Sequence, residues 1–271
     1  MLNNNFENRT FLMLQGPQSL FFKDLAQELE RKGAKVIKIQ FCGGDVFLWN
    51  ICGKKIKVAT KTLFFRQKAS LWPEFIAKVY KEYNVTDILL YSDWRPLHQN
   101  AILIAKDLDI DVWVYEEGYL RRGFSTLEKD GVNGRSSLPK NIEEVIKLGK
   151  ELPKFEELEH PLANPVRNKV IFAIYHHVGN VLLYPIFYRY KTHRQHNIFR
   201  ELFGIIPRYL TRKRRYLKSI KTLRFLSNER KKFFFYPLQL NSDSQVQLYS
   251  PYLRQEEAIT YVISSFCKIC R

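Results

Sequence analysis

The sequence has few cysteines, no export signal and no long uninterrupted apolar run. It contains four cysteines. Its first ten residues, Met1–Thr10, lack the basic segment and the apolar core of a secretory signal. We therefore expect reduced thiols and a cytoplasmic protein. The most apolar stretch, Val170 to Tyr188, is interrupted by two histidines, a glycine and an asparagine. Because a spanning helix needs about 20 mostly apolar residues, no membrane span is expected.

Acidic residues are also scarce. The 271 residues include 44 Lys and Arg against 27 Asp and Glu, which gives a formal charge of +17 and a pI near 9.7. A hydrophobic share of 45% excludes a disordered chain. The positive charge predicts attraction to nucleic acid, phospholipid headgroups or an acidic nucleotide-activated substrate, and it does not choose among them.

Alternating strand and helix patterns predict a doubly wound α/β domain over residues 1–150. Strand patterns lie at 11–14, 35–41, 87–91 and 111–115, and helical patterns lie at 20–32, 73–83 and 100–107. A strand, a helix and a further strand in this order form the repeating unit of a parallel sheet.

After residue 150 the composition changes twice. Residues 151–232 are predicted to form a basic, aromatic, helical connecting region, with eight Lys and Arg between Arg208 and Arg224. Residues 233–271 are predicted to begin a second α/β domain, with a strand at Phe233–Tyr236, a loop at 241–244 and a helix from Ser250–Pro251. Because one strand and one helix cannot cover both faces of a parallel sheet, we expect this domain to be incomplete.

Two loops after predicted strands carry candidate binding residues, since α/β sheets bind ligands at the carboxyl ends of their strands. Gln15 and Gly16 precede a helix whose N-terminal amides could hold an anion or a sugar hydroxyl, or they form an ordinary turn. In the second loop, Arg95 could clamp a carboxylate or phosphate. Together with Asp93 and His98, Arg95 makes this loop richer in functional groups than a solvated loop requires. Alternatively, Asp93 caps the next helix and pairs with Arg95.

The third loop starts with Glu116 and Glu117. Adjacent carboxylates in a cleft repel each other, which raises the pKa of one of them and suits acid–base or nucleophilic chemistry. Gly118 would let the backbone turn sharply beside a ligand. Helix capping is the alternative interpretation of the acidic pair.

Further histidines and cysteines are not expected to bind metal. His176 and His177 lie in an apolar stretch and are expected to pack or to lie at an interface. Cys267 and Cys270 lack a second ligand pair at a spacing suitable for zinc.

Eight motifs extend over nearly the whole chain in one order. They are Phe11–Pro17, Gly43–Asp45, Asp93–His98, Glu116–Arg121, Thr126–Glu128, Gly131–Gly134, Ser137–Pro139 and Pro237–Gln245. Together they resemble the capsule polysaccharide biosynthesis and export proteins of the KpsS and LipB type.

The resemblance implies a GT-B-like glycosyltransferase, with a complete N-terminal Rossmann-like acceptor domain and a truncated C-terminal Rossmann-like domain for the nucleotide sugar. It implies transfer of β-Kdo from CMP-Kdo to a phosphatidylglycerol-type lipid at the inner face of the inner membrane of a Gram-negative bacterium. No metal or cofactor is expected, because helix N-termini and basic side chains can stabilise the departing phosphate. The expected partners are CMP-Kdo, an anionic phospholipid, the membrane surface and other capsule assembly proteins, but not nucleic acid.

The resemblance also assigns roles to residues. Donor and product both carry the β linkage, so the configuration at the anomeric carbon is retained. Retention of configuration requires a carboxylate nucleophile beneath the anomeric carbon or a leaving group that shields one face. Glu117 is the expected nucleophile and Glu116 the alternative. The residues expected to bind the acceptor are Gln15, Gly16, Asp45, Asp93, Arg95, His98, Tyr119, Arg121 and Asn133. Those expected to bind the nucleotide sugar are Gln239, Asp243, Ser244 and Gln245.

Three departures from the family pattern qualify the expected activity. Ser92 stands where the family usually has glycine, and no histidine follows His196 to match the family's later His-Pro motif. The last helix, near Arg271, is normally followed by another strand. We therefore expect a truncated, inactive transferase. A non-catalytic lipid- or partner-binding remnant is the alternative, and a nucleic-acid-binding protein is a weaker one.

Overall fold

The computed structural model describes residues 6–51, 60–118, 124–152, 165–190, 204, 207–228, 234–241 and 243–269. The chain divides into two compact units, Met1–Lys191 and Thr192–Arg271. Two predicted substrate-binding residues, Tyr119 and Arg121, lie outside the described residues.

The first unit is built on a six-stranded sheet. Its strands are β1 Thr10–Met13, β2 Lys35–Gln40, β3 Lys61–Phe64, β4 Asp87–Tyr91, β5 Asp111–Glu117 and β6 Ser125–Lys129. The strand order is β3-β2-β1-β4-β5-β6; β1 to β5 are parallel, and β6 runs antiparallel to β5. The predicted α/β sheet is confirmed. The sequence did not predict β3 and β6, because both are short, largely polar edge strands without a clear apolar period.

Helices follow the strands as the periodicity predicts. In the first unit they are α1 Phe21–Arg31, α2 Gly43–Val46, α3 Trp72–Glu82, α4 Pro96–Asp107, α5 Ile142–Glu151, α6 Pro165–Leu182 and α7 Tyr184–Phe187. A π-helical turn, Phe47–Ile51, extends α2. Helix α4 begins four residues before the predicted Asn100, because Pro96 suits the first helical position. Within the described residues, no helix has the length and apolarity to cross a bilayer.

The sheet is buried on both faces, as a parallel sheet requires. One face packs Leu12 and Ile88 against α3 and α4, and the other packs Phe11 and Leu89 against α1 and the π-helical turn. Neighbouring residues of one strand thus enter different core layers, because side chains alternate along a strand. The order of the strands reverses between β1 and β4, which is where such sheets bind ligands.

Ser92 adopts a backbone conformation that favours glycine. Its φ is 66°, and its N–H donates to the Tyr115 carbonyl at 2.9 Å, so the left-handed turn is fixed by pairing with β5. This conformation explains the glycine expected at this position. We expect Ser92→Gly to raise the free energy of unfolding by about 0.5–1 kcal/mol, since relief of side-chain strain exceeds the added chain entropy. Denaturant unfolding measures the change, and a lower stability would contradict the left-handed turn.

The second unit is described through its helices α8 Arg212–Asn228, α9 Ser244–Tyr249 and α10 Gln255–Ile269. The strand predicted at Phe233–Tyr236 is wrong where it is described. Residues 234–241 form no strand, and Phe234 and Phe235 are exposed. A strand needs at least one neighbouring strand to pair its backbone hydrogen-bonding groups, and the described residues of this unit contain no strand to provide it.

Two smaller predictions concern the start of helices in the second unit. The predicted loop at 241–244 is confirmed at Asn241 and Asp243, but Ser244 already begins α9, because Asp243 caps that helix by accepting a hydrogen bond from the Gln245 N–H at 2.9 Å. The helix predicted from Ser250–Pro251 begins at Gln255. Local polar composition predicted a loop, whereas the capping bond selects a helix start.

Candidate functional site

Side chains from distant parts of the chain meet at the carboxyl edge of the sheet, where β1 adjoins β4. Gln15 follows β1 and is buried. Its Nε2 donates to Asp45 Oδ1 at 3.1 Å, and its Oε1 accepts from Arg95 Nη1 at 2.8 Å and from the Tyr190 hydroxyl at 3.1 Å. We call Gln15, Asp45, Arg95 and Tyr190 the Gln15 cluster. The structure therefore brings together three predicted residues, Gln15, Asp45 and Arg95.

The Gln15 cluster combines a carboxylate, an amide and a guanidinium. Asp45 Oδ2 accepts from the Phe41 N–H at 3.0 Å, and the Arg95 guanidinium lies 5.7 Å from the centre of the Tyr91 ring. Burial lowers the pKa of Arg95, but a guanidinium stays protonated in proteins. Burial raises the pKa of Tyr190, which keeps its hydroxyl a donor to Gln15. Such a group can bind an anion beside sugar hydroxyls.

Glu116 adjoins the Gln15 cluster through Tyr91. Burial raises the pKa of Tyr91, and the carboxylates of Glu116 and Glu117 add to this effect. Glu116 is half-buried and accepts the Glu117 N–H at 3.1 Å, whereas Glu117 is exposed at the end of β5. The sheet edge therefore carries a half-buried carboxylate beside Tyr91 and a second, more exposed acidic residue.

The helix-capping interpretation of the acidic pair is wrong. Both residues belong to β5, where Glu116 pairs with Thr126 and Glu117 with Ser125 of β6. Gly118 follows directly, and a Cβ atom there would lie 2.6 Å from the Phe124 carbonyl oxygen. Close approach of two backbone segments is therefore what requires glycine at this position.

The other predicted residues of the first unit support loops. Asp93 Oδ2 accepts from the Val132 N–H at 3.3 Å, and the His98 Nδ1–H donates to the Ser92 carbonyl at 2.8 Å. Asn133 has a φ of 58° in a turn. A Cβ atom at Gly16 would lie 2.8 Å from Phe22 Cγ. Their assignment to substrate binding stays a prediction.

Asp93 does not cap α4, so that alternative is wrong. The N-cap is Arg95, and no side chain makes a capping bond there. The Arg95 guanidinium bonds to Gln15 instead, because the order of the strands brings β1 beside β4.

Helix α6 packs closely on α2 through glycines. A Cβ atom at Gly43 would lie 2.0 Å from the Gly179 carbonyl oxygen, and one at Gly179 would lie 2.4 Å from the Gly43 oxygen. The Gly44 N–H donates to Asn180 Oδ1 at 2.8 Å. The Gly43–Asp45 motif therefore fixes α6 and holds Asp45 in place.

Cys42, Asp45 and His176 lie close enough for one metal ion, with their ligand atoms within 4.8 Å of one another. The tautomer of His176 opposes such a site. Asn180 Oδ1 accepts from Gly44, so the Asn180 Nδ2 group donates to His176 Nδ1 at 3.2 Å. The imidazole proton then lies on Nε2, 3.9 Å from Cys42 Sγ, where a metal would need a lone pair. Burial also raises the pKa of the Cys42 thiol, which keeps it protonated.

Lys38 is a buried cation behind the Gln15 cluster. Its Nζ donates to the carbonyl oxygens of Leu14 and Ile39, both at 2.7 Å. Burial lowers the pKa of Lys38 to about 8, against an opposing effect of Asp45. Since an unfolded lysine titrates near 10.4, the unfolded state binds more protons between about pH 8 and pH 10. Folding stability should therefore rise with pH in this window.

Comparison with Lys38→Met isolates this effect. From pH 8 to pH 10, the free energy of unfolding of the parent should rise relative to that of the variant by about 1 kcal/mol per pH unit. Denaturant unfolding at several pH values measures it. The exposed Lys35 on the same strand provides the control Lys35→Met, for which parallel profiles are expected. If the stability of Lys38→Met also ran parallel to that of the parent between pH 8 and pH 10, the lowered pKa of Lys38 would be wrong.

In the second unit, Gln239 lies in the segment before α9, where its N–H donates to Gln255 Oε1 at 3.4 Å. Asp243 and Gln245 form the cap of α9, and Ser244 is its first residue. Binding of a nucleotide sugar by these four residues stays a prediction.

The sequence did not assign Tyr91, Tyr190 or Lys38 to the binding site. Tyr91 is the last residue of a predicted strand, directly before the Asp93 loop, and that position could have indicated it. Tyr190 contacts Gln15 across 175 positions of sequence, and no local pattern predicts such a contact.

The chain is similar to proteins of capsule polysaccharide modification and export. The chain is 30% identical over 282 residues to the capsule polysaccharide modification protein LipB of Neisseria meningitidis serogroup A, and the match covers 99% of this chain and 64% of LipB. The serogroup B LipB matches to the same extent. The capsule polysaccharide export protein KpsS of Escherichia coli is 29% identical over 262 residues, which cover 96% of this chain and 64% of KpsS. The chain thus spans 64% of the length of each of these relatives.

Residues 86–269 match the family described as capsule polysaccharide biosynthesis protein. This range contains Arg95, Glu116 and Glu117, and it makes up more than half of the 271 residues. The chain therefore belongs to the capsule polysaccharide biosynthesis protein family.

Proposed function

We propose that the protein is a glycosyltransferase of capsule biosynthesis. In this proposal the chain takes part in the transfer of β-Kdo from CMP-Kdo to a phosphatidylglycerol-type lipid with retention of configuration, and the activity requires the remainder of a LipB-like protein. The acceptor binds to the first unit, while the donor is bound with the help of Gln239, Asp243, Ser244 and Gln245. The protein works as a peripheral protein at the inner face of the inner membrane.

The observation that carries this proposal is the Gln15 cluster beside the acidic end of β5. Arg95 supplies a partly buried cation for an acceptor phosphate or a sugar carboxylate. Gln15 and Asp45 supply an amide and a carboxylate that can bind sugar or glycerol hydroxyls. The exposed Glu117 lies at the same edge of the sheet, joined to the cluster by Glu116 and Tyr91.

Glu117 is the proposed nucleophile because it is the more exposed residue of the acidic pair at the end of β5. A carboxylate oxygen of Glu117 attacks the anomeric carbon, and the bond from that carbon to the CMP phosphate oxygen breaks, so that CMP leaves with the electron pair. The acceptor hydroxyl then attacks the same carbon and Glu117 departs. Glu116, held by the Glu117 N–H and Tyr91, takes the hydroxyl proton. Two inversions give retention.

A graft tests the proposal within a whole relative. The chain replaces the matching 64% of LipB, and the purified graft is incubated with CMP-Kdo and phosphatidylglycerol. We expect mass spectrometry to detect Kdo on the lipid. LipB itself provides the reference reaction. If LipB forms the product and a folded graft does not, the assignment of this chain to Kdo transfer is wrong.

A further inference from the structure

Helix α6 exposes a continuous apolar surface. Six residues, which we call the α6 apolar face, are between 39% and 63% exposed, namely Val170, Ile171, Ile174, Val178, Val181 and Leu182. At 3.6 residues per turn they fall within an arc of about 120°. Single exposed apolar residues are common on proteins, but a contiguous apolar stripe along a helix indicates a binding surface.

The packing of α6 fixes the direction of this face. Gly179 is buried against Gly43, while His176 and Asn180 bond to Gln18 and Gly44. These residues occupy the opposite side of the helix. Because the glycine contact leaves no room for rotation, the α6 apolar face points away from the sheet of the first unit.

The charges around the face are all positive. From His160 to Arg200 the sequence contains no Asp or Glu. Arg167 lies at the beginning of α6 within the arc of the face, and beyond the end of the helix Arg189 lies over the Tyr188 ring at 5.0 Å. Exposed tyrosines, Tyr184 and Tyr188, follow the apolar residues. An apolar stripe with cations and tyrosines at its ends is complementary to the interface of an anionic bilayer.

Helix α5 provides a contrast. It also exposes apolar residues, among them Ile146 at 51%, but its three acids, Glu143, Glu144 and Glu151, outnumber its two lysines. These acids would be repelled by an anionic surface, so exposed apolar surface alone does not distinguish the two helices. The distinguishing property is the sign of the surrounding charge.

We propose that the α6 apolar face docks the protein on anionic phospholipid, with the helix lying in the plane of the interface. The apolar residues enter the boundary between headgroups and acyl chains, while Arg167 and Arg189 bind lipid phosphates. A second copy of the chain is a poorer occupant, since an antiparallel pair of α6 helices would bring these cations together. Docking on the lipid surface does not depend on the proposed function. Only the idea that the bound lipid is also the acceptor rests on it.

Vesicle flotation with the 271-residue chain tests the inference without any sugar transfer. We expect binding to phosphatidylglycerol-containing vesicles and much weaker binding to phosphatidylcholine. The double variant Ile174→Glu and Val178→Glu should lower the partition coefficient about tenfold. The matched control is the double variant Val145→Glu and Ile146→Glu on α5, which introduces the same two charges at similarly exposed residues and should bind as the parent does. Thermal unfolding by circular dichroism establishes that the variants are folded.

The salt dependence of vesicle binding distinguishes insertion of the α6 apolar face from attraction by the basic helix α8. Insertion of apolar residues should preserve part of the binding at about 0.5 M salt, whereas attraction by charge alone is screened. Parent-like binding of the double variant would overturn the proposal, as would equal binding to phosphatidylcholine. A change in sedimentation mass without a change in flotation would identify the face as a protein interface instead, which also overturns it. None of these outcomes depends on whether the graft transfers Kdo.

Discussion

Replacing Glu117 with glutamine is expected to reduce Kdo transfer by the LipB graft at least about a thousandfold. Glutamine has nearly the same shape but cannot form the glycosyl ester, so the covalent route is closed. Glu117 is exposed at the end of β5, and its substitution should leave the free energy of unfolding nearly unchanged. Initial rates with CMP-Kdo and phosphatidylglycerol measure the effect.

The neighbouring Glu116→Gln is the matched control. Its carboxylate accepts the Glu117 N–H and lies beside Tyr91, and a glutamine oxygen can still accept hydrogen bonds. We therefore expect a loss of only about tenfold, with a changed pH profile because the proton acceptor is gone. Without acceptor lipid, fragmentation of the modified peptide by tandem mass spectrometry should locate Kdo on Glu117. Equal losses in both variants, or an adduct on Glu116, would show that Glu117 is not the nucleophile.

Gly179→Ala should lower the free energy of unfolding by about 2 kcal/mol. The new Cβ atom would lie 2.4 Å from the Gly43 carbonyl oxygen, so two backbone segments would have to separate. Separation would also weaken the bonds of His176 to Gln18 and of Asn180 to Gly44. Denaturant unfolding measures the loss.

Gly149→Ala on α5 is the control for Gly179→Ala. Both positions are helical glycines, but beyond the adjacent residues and the backbone of α5 itself nothing lies within 4 Å of a Cβ at Gly149. Here the substitution should raise stability by about 0.5–1 kcal/mol, because alanine loses less chain entropy in a helix. If both variants gained stability equally, α6 would not pack on α2 through Gly43.

The first unit was largely predictable because its elements follow from local patterns. Apolar residues with a strand period bounded by turns indicated β1, β2, β4 and β5, and helical spacing indicated α1, α3 and α4. The same approach failed at Phe233–Tyr236, where an aromatic run resembles a buried strand but lies exposed where it is described. A strand is stabilised by its neighbours in the sheet, and a single run of residues carries no information about them.

Polar loops after β1, β4 and β5 are predictable from the sequence, because alternation of apolar residues and the turns that end it are local properties. The contact between Arg95 and Gln15 follows from the tertiary structure, since it depends on β1 lying beside β4. The tertiary structure likewise joins Tyr190 to them and turns the α6 apolar face outward. Strand pairing and helix packing join residues far apart in the chain, so the chemistry of the site arises from contacts that no local pattern encodes.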